Sequence, residues 1–538
     1  MNEIFQDLRK TKNHIRDLLK REQFSEAKAI CDRLSPASAI DAEIWYLLAR
    51  AHHHTHHHLE AAKYAMKALG LDSSFDDAQY IYALSLLNIS QYEKAIQHLH
   101  ILIKHTPDYP GAQALAGKVL YRMNMLNEAL EHLNEATQQD ATDIETLETI
   151  AMIQERTRQI NLCQQTLDLM ERIDSKHPGL LLTRARLDKR TGKLAESRQS
   201  LELLCQMPTP DSYKAQAACE LGHVLDKMGS YEDAYTKFQY TNELMEKAHD
   251  KSYGTRYYYD RIMNLKTTFT PEFVAKWPRK NRADKSSPPI FLVSFPRSGT
   301  TLTEKIISTH SQIIPSDEIT IITTLIKQLV DQGFKYPHDI DKLTKIQLTE
   351  LRRRYWDRAQ TTIGGKFRGR RFLDKLPLNI IDLGFIYRLF PEAPIIFVLR
   401  DPRDVCLSCF MQLFALNPAT IQFTNIDNTA RFYAATMDLW LHYCKILKLK
   451  RHVIRYENIV SNMENEAHKL IKFLGLPWEQ DMLQYHNKQG KGSATTPSYQ
   501  DVNKPIYNRA MGRWHNYEPH MTTALTILRP FLDEFKYD

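Results

Sequence analysis

Along the first half of the chain, hydrophobic, polar and small positions recur with a long period. Residues 24–27, 92–95, 126–129, 194–197 and 231–234 share one pattern: an aromatic residue or leucine, two residues that are mostly polar, then a small residue. The small residues of the full series are Ala27, Ala61, Ala95, Ala129, Cys163, Ser197 and Ala234; their spacing is 34, except for a last step of 37. The longer step fits an enlarged turn at Pro208 and Pro210. Each period predicts a pair of helices whose close approach the small residue allows. Such a pair is stable only when stacked on its neighbours. About seven of them predict an all-helical solenoid over residues 1–250. Residues 251–287 break the period. They carry Tyr257, Tyr258 and Tyr259, a basic stretch from Lys276 to Lys285, and two serines followed by two prolines. This reads as a helical cap and a polar linker. The pattern then changes. An apolar run at 289–295 predicts a short buried strand, residues 302–309 a helix, and a second apolar run at 394–399 another strand. The expected fold class is therefore α + α/β: a helical solenoid, then an α/β domain over 288–538 with a central parallel sheet.

The period of 34 with its fixed small residue resembles the tetratricopeptide repeat. Trp45, Leu48, Gly117, Gly222 and Pro107 stand at that repeat's tryptophan, leucine, glycine and closing proline places. The resemblance implies a concave surface that holds a peptide or protein partner.

Composition narrows the picture. The 538 residues are 43% hydrophobic and 25% charged, which argues against a largely disordered chain. The seven cysteines are scattered and give no disulfide framework, so a reducing compartment is expected. The first residues carry charges every few positions, and no run approaches the ~20 apolar residues of a membrane helix. A cytoplasmic protein without membrane insertion is the expectation. Residues 1–250 sum to a net charge of −7 and residues 251–538 to +14, which points to an anionic ligand in the second half.

The residues after the first predicted strand supply one grip for such a ligand. Pro296, Arg297, Ser298, Gly299, Thr300 and Thr301 form a loop between a strand and a helix N-terminus. Backbone N–H groups and the helix dipole there cradle phosphate. Against the Walker A pattern, Gly299 and Thr301 keep the second glycine and the hydroxyl, but Ser294 and Thr300 replace the first glycine and the lysine. That speaks against a kinase or ATPase on a P-loop fold. The second strand leads into Arg400, with Ser408 eight residues on, a second basic grip. Two grips on one sheet fit a nucleotide phosphorylated at both 5′ and 3′ positions. Nucleic-acid binding would explain the charge but not the paired motifs.

These residues resemble the 5′-phosphosulfate loop and the 3′-phosphate motif of sulfotransferases. The whole arrangement resembles bacterial fusions of tetratricopeptide repeats with a P-loop-like sulfotransferase domain. Within that family the domain is most similar to tyrosylprotein sulfotransferases. Residues 315–318 resemble the segment with their catalytic glutamate, here Glu318. Residues 374–377 resemble the one with their catalytic lysine, here Lys375. Residues 455–457, with Tyr456, resemble an element that touches the nucleotide. Residues 497–505 resemble a late loop with a catalytic serine, here Ser498. Residues 510–514 resemble the closing segment, with Arg513 in place of a lysine. The resemblance implies 3′-phosphoadenosine 5′-phosphosulfate (PAPS) as donor, adenosine 3′,5′-bisphosphate as product and no required metal. Glu318 is then the general base. Arg297, Lys375 and Ser498 stabilise the transferring and bridging oxygens. Pro296 to Thr301, Arg400, Ser408, Tyr456, Ser498 and Arg513 bind the donor. The acceptor is a hydroxyl: protein tyrosine, a sugar and a small molecule stay open. The chain departs from the tyrosylprotein enzymes in having no arginine in residues 319–324, just after Glu318, and in carrying Gln412 where a basic residue follows the first 3′-phosphate arginine.

Other features have plainer readings. The run His52, His53, His54, His56, His57 and His58 falls at a helix end and turn, where a solvated turn is expected over a metal site. His310 reads as structural, and Cys406 and Cys409 as buried packing. The competing function is a repeat scaffold whose C-terminal domain holds a nucleotide without catalysis.

Overall fold

A computed structural model describes residues 2–34, 41–248, 256–277, 287–316, 318–365, 367–485 and 510–537. By its contacts the chain divides into two compact units, Met1–Lys193 and Leu194–Asp538.

Up to Ala248 the described residues form helices in succession, from Asn2–Lys20 and Phe24–Leu34 to Asp211–Met228 and Tyr231–Ala248. The seven periodic small residues are all 0% exposed. No larger side chain would fit there without separating the helices. Gly117 and Gly222 serve the same close approach. A Cβ on Gly117 would run into the Leu133 side chain, and one on Gly222 would stand 2.7 Å from Phe238 Cε1. Helix starts follow the local chemistry. Asp41 accepts from the backbone N–H groups of Glu43 and Ile44, and Asp143 from that of Glu145. The histidine run spans the end of helix Ala42–His54 and the turn into His58–Leu71. It is not wholly solvated: His52 is buried with Nε2 3.2 Å from Asp32, and burial pushes His53 down to about 4. Among the described residues no cluster of His, Cys, Asp or Glu could hold a metal ion.

The second unit holds a five-stranded parallel sheet: β1 (Ile290–Val293), β2 (Ile313–Pro315), β3 (Arg371–Lys375), β4 (Pro394–Leu399) and β5 (Lys450–Arg455). Their order is β2-β3-β1-β4-β5. Every residue of β1 and β4 is buried, as a parallel sheet covered on both faces requires. Phe291 pairs with Ile395, Leu292 with Ile396 and Val293 with Phe397. The connection out of β1 leads to one side of the sheet and that out of β4 to the other. The crevice at their carboxyl ends is thus the switch point where α/β sheets bind ligands. The helix pair Asp211–Met228 and Tyr231–Ala248 packs in this same unit. Asn242 donates to the Phe410 carbonyl over 3.1 Å, and the rings of Tyr235 and Phe410 stack at 5.1 Å. No described helix is long and apolar enough to cross a membrane.

One substitution type should therefore act with opposite signs at two glycines. Gly222→Ala forces Phe238 to move and should cost about 1–3 kcal/mol. Gly70, in helix His58–Leu71, has no atom within 4 Å of an added Cβ. Gly70→Ala should stabilise by roughly 0.5 kcal/mol. Urea unfolding of the two variants beside the wild type reads both signs.

Candidate functional site

The loop after β1 turns sharply to present the helix Thr300–Ser308. Arg297 and Gly299 both have positive φ, 68° and 100°. Gly299 is required twice over, because a Cβ there would also stand 2.5 Å from Tyr456 Cδ2. Ser298, Thr300 and Thr301 are buried around the turn. The loop is held from both sides: Ser294 N–H donates to the Pro377 carbonyl at 3.1 Å, and Arg400 Nη1 to the Arg297 carbonyl at 2.9 Å.

Arg400 leaves the end of β4 and lies with its guanidinium 4.9 Å from the centroid of the Tyr456 ring. It also donates to the Ala510 carbonyl, while its buried Nε has no acceptor among the described residues. Asp401 caps the helix Pro402–Phe410, accepting from the Arg403 N–H. Six residues on from Pro402 along that helix, Ser408 Oγ accepts from Arg297 Nε at 3.1 Å. The two basic motifs thus touch directly.

Lys375 ends β3 and is 2% exposed. Its Nζ stands 2.9 Å from Glu318 Oε1 and 3.2 Å from Glu304 Oε2. Burial alone would depress its pKa, but the two carboxylates outweigh burial and hold it above the usual lysine value. Lys375 therefore stays charged through the neutral range. Ser316 aligns the segment before Glu318: its N–H donates to the Leu373 carbonyl at 2.8 Å, and its Oγ accepts from Lys375 N–H at 3.0 Å. Asp374, the preceding residue, points to the other face of the sheet. It is fully buried and accepts from Tyr355 Oη at 2.7 Å and Asn379 Nδ2 at 3.2 Å. With no described cation beside it, burial pushes its pKa up to about 7.

Pro296, Arg297, Gly299, Thr300, Thr301, Glu318, Arg400, Ser408, Tyr456 and Arg513 line one cavity of about 910 Å³. Ser298 and Lys375 are buried in its wall rather than lining it. Ser498 and its loop lie outside the described residues. Two carboxylates of the site escape a reading by motif. Glu304 follows Thr300 by one helical turn, and that spacing was the available signal. Asp404 accepts from the backbone N–H groups of Gly512 at 2.7 Å and Trp514 at 3.0 Å, tying the closing segment to the second motif. The plainer readings find structural counterparts. His310 is buried with Nε2 2.8 Å from the Pro477 carbonyl, and Cys406 and Cys409 are buried in the helix after Arg400.

Residues 288–480 match the sulfotransferase family, residues 42–75 the tetratricopeptide repeat, and residues 79–183 the N-terminal repeat region of Psidin. The chain thus carries tetratricopeptide repeats in its N-terminal part and a sulfotransferase-family domain in its C-terminal part. Among its relatives, an uncharacterized protein of Aquifex aeolicus (strain VF5) is 27% identical over 442 residues, 79% of this chain and 56% of that one. A protein-tyrosine sulfotransferase of Drosophila melanogaster is 24% identical over 272 residues, 47% of this chain and 52% of that one. The chain spans about half the length of each of these two relatives. A solved sulfotransferase domain from the curacin biosynthetic pathway is 19% identical, with a TM-score of 0.35, over 47% of this chain and 99% of that one.

The buried Asp374 gives a pH-dependent prediction. Its folded pKa lies above its unfolded one, so the folded state binds the extra proton and its stability falls as pH rises from about 4 through 7. The size is a few kcal/mol, at about 1.4 kcal/mol per pKa unit. Asp374→Asn removes that slope. The variant should gain on the wild type in urea midpoint between pH 5 and pH 8. An unchanged difference at the two pH values would mean that Asp374 is ionised throughout.

Proposed function

We propose that the C-terminal domain transfers a sulfuryl group from PAPS to an acceptor hydroxyl. The observation that carries this reading is the convergence on one cavity of two basic loops from adjacent strand ends and the Glu318–Lys375 pair. The first loop would hold the 5′-phosphosulfate by its backbone N–H groups, Ser298, Thr300 and Thr301. Arg400 and Ser408 would hold the 3′-phosphate, with Arg513 as a further cation and Tyr456 against the nucleotide.

In the proposed reaction the acceptor oxygen attacks sulfur in line with the bridging oxygen. Glu318 takes the acceptor proton, the new O–S bond forms and the bond to the bridging oxygen breaks. The electron pair stays on the 5′-phosphate of adenosine 3′,5′-bisphosphate. Arg297, Lys375 and Ser498 stabilise the charge gathering there. Glu318 must release Lys375 to act as a base. Glu304 makes this possible, because it remains as the counter-charge of the buried ammonium. Fixed charges and positioning do the work, and no step calls for a metal.

Besides its cations and carboxylates, the cavity lining includes Thr320, Thr323, Leu378, Leu413 and Phe414. The described cations of the lining are Arg261, Arg297, Arg400 and Arg513, and Arg261 is already held by Asp382 at 2.6 Å. This supports a neutral, partly apolar acceptor, such as a phenol or an uncharged tyrosine segment, over an acidic peptide. The repeats would hold a protein partner or the acceptor's carrier.

Calorimetry with adenosine 3′,5′-bisphosphate beside ATP–Mg²⁺ tests the donor site. The bisphosphate should bind, and Arg297→Ala and Arg400→Ala should each weaken it at least tenfold, the loss of about 1.4 kcal/mol. Binding of ATP–Mg²⁺ instead would overturn the reading in favour of a kinase-like site. With radiolabelled donor, Glu318→Gln should lower kcat by about 100- to 10,000-fold while leaving bisphosphate affinity unchanged. Bisphosphate binding without turnover on any hydroxyl class would favour the scaffold reading.

Among acceptors, a neutral tyrosine peptide or simple phenol should exceed a peptide flanked by several acidic residues in kcat/KM. The reverse order would show that the acceptor side reads negative charge.

A further inference from the structure

Arg513 lines the donor cavity, yet the group that fixes it comes from the repeat helices. Its Nε donates to Asp226 Oδ1 at 3.0 Å, and its Nη2 stands 2.9 Å from Asp226 Oδ2. Asp226 lies near the end of helix Asp211–Met228. It is buried and also accepts from Tyr517 Oη at 2.8 Å. The same helix pair braces the closing segment elsewhere. Tyr231 meets the Tyr517 ring edge-on at 5.5 Å, and Tyr235 stacks on His520 at 3.9 Å.

We propose that Asp226 is a positioning residue of the nucleotide site: the last repeat helix pair holds Arg513 toward a donor phosphate. The inference rests on the donor reading above. A bidentate carboxylate fixes the plane of a guanidinium and leaves its other amino group outside the pair. Arg513 is 24% exposed, so without Asp226 its long side chain would sample many rotamers before meeting the ligand. A carboxylate near an anion also repels it, and the two effects predict opposite changes in affinity. Asp226 is buried with its charge spent on Arg513 and Tyr517, so the orienting effect prevails.

The test is bisphosphate affinity in the full chain for Asp226→Asn, Arg513→Ala and the double variant. Asp226→Asn should weaken binding about five- to tenfold, as expected for one long side chain left to be ordered on binding. It should have no further effect once Arg513 is alanine. Asp226→Glu, which keeps the charge but shifts it, should fall between wild type and Asp226→Asn, and it serves should the asparagine variant fail to fold. Tighter or unchanged binding by Asp226→Asn overturns the proposal. So does an equal loss in the Arg513→Ala background, which would mark a general structural effect. A wild type that does not bind the bisphosphate overturns the donor reading itself, and this proposal with it.

Discussion

The parallel pairing of β1 with β4 governs the rest of the site. Two neighbouring strands that run the same way must end on the same edge of the sheet. Strand spacing is only about 4.8 Å, so whatever follows their carboxyl ends is brought into contact. That is why Arg400 reaches the Arg297 carbonyl and Arg297 reaches Ser408 across more than a hundred residues of sequence. The constraint also tightens the backbone: with Tyr456 packed against the turn, only glycine fits at position 299. Two cationic side chains are thereby held close together, where in water they would separate.

Alternation along β3 settles the remaining charges. Asp374 and Lys375 are adjacent in sequence but project to opposite faces, so they cannot neutralise each other. Each needs its own partners. Lys375 finds two carboxylates, and their combined attraction exceeds the cost of burial. Asp374 finds a phenol and an amide, which are enough to seat a carboxyl but not to keep it strongly acidic. The sheet thus holds one group charged and lets its neighbour approach neutrality. This is the pattern expected where a buried site sorts ionisable groups by their surroundings rather than by their side-chain type.

The repeat spacing was legible because it reflects a steric rule, and all seven of its small residues are fully buried. The two basic loops were legible because each is local: a strand, a turn and a helix start lie together in sequence. The partners of those loops were not. Glu304, Asp404 and Asp226 are ordinary acids at helix positions where a solvent-facing carboxylate is the default reading. Only the tertiary arrangement turns them toward Lys375, toward the N–H groups of Gly512 and Trp514, and toward Arg513. The histidine run misled in a smaller way, because composition suggested a solvated turn while the helix phase buries His52 against the fold.

The end of a solenoid presents an apolar face that no further repeat covers, and such ends need a cap. Here the helix pair Asp211–Met228 and Tyr231–Ala248 is covered by segments of the sheet-bearing unit. Asn242 bonds to the Phe410 carbonyl, Tyr235 stacks on Phe410, and Glu246 bonds to Thr424. Phe410 closes the helix that carries Ser408, so the cap and the second basic loop are one element. The cover that stabilises the last repeat therefore cannot shift without moving that loop. It is this shared element that lets a carboxylate from a repeat helix reach an arginine of the cavity.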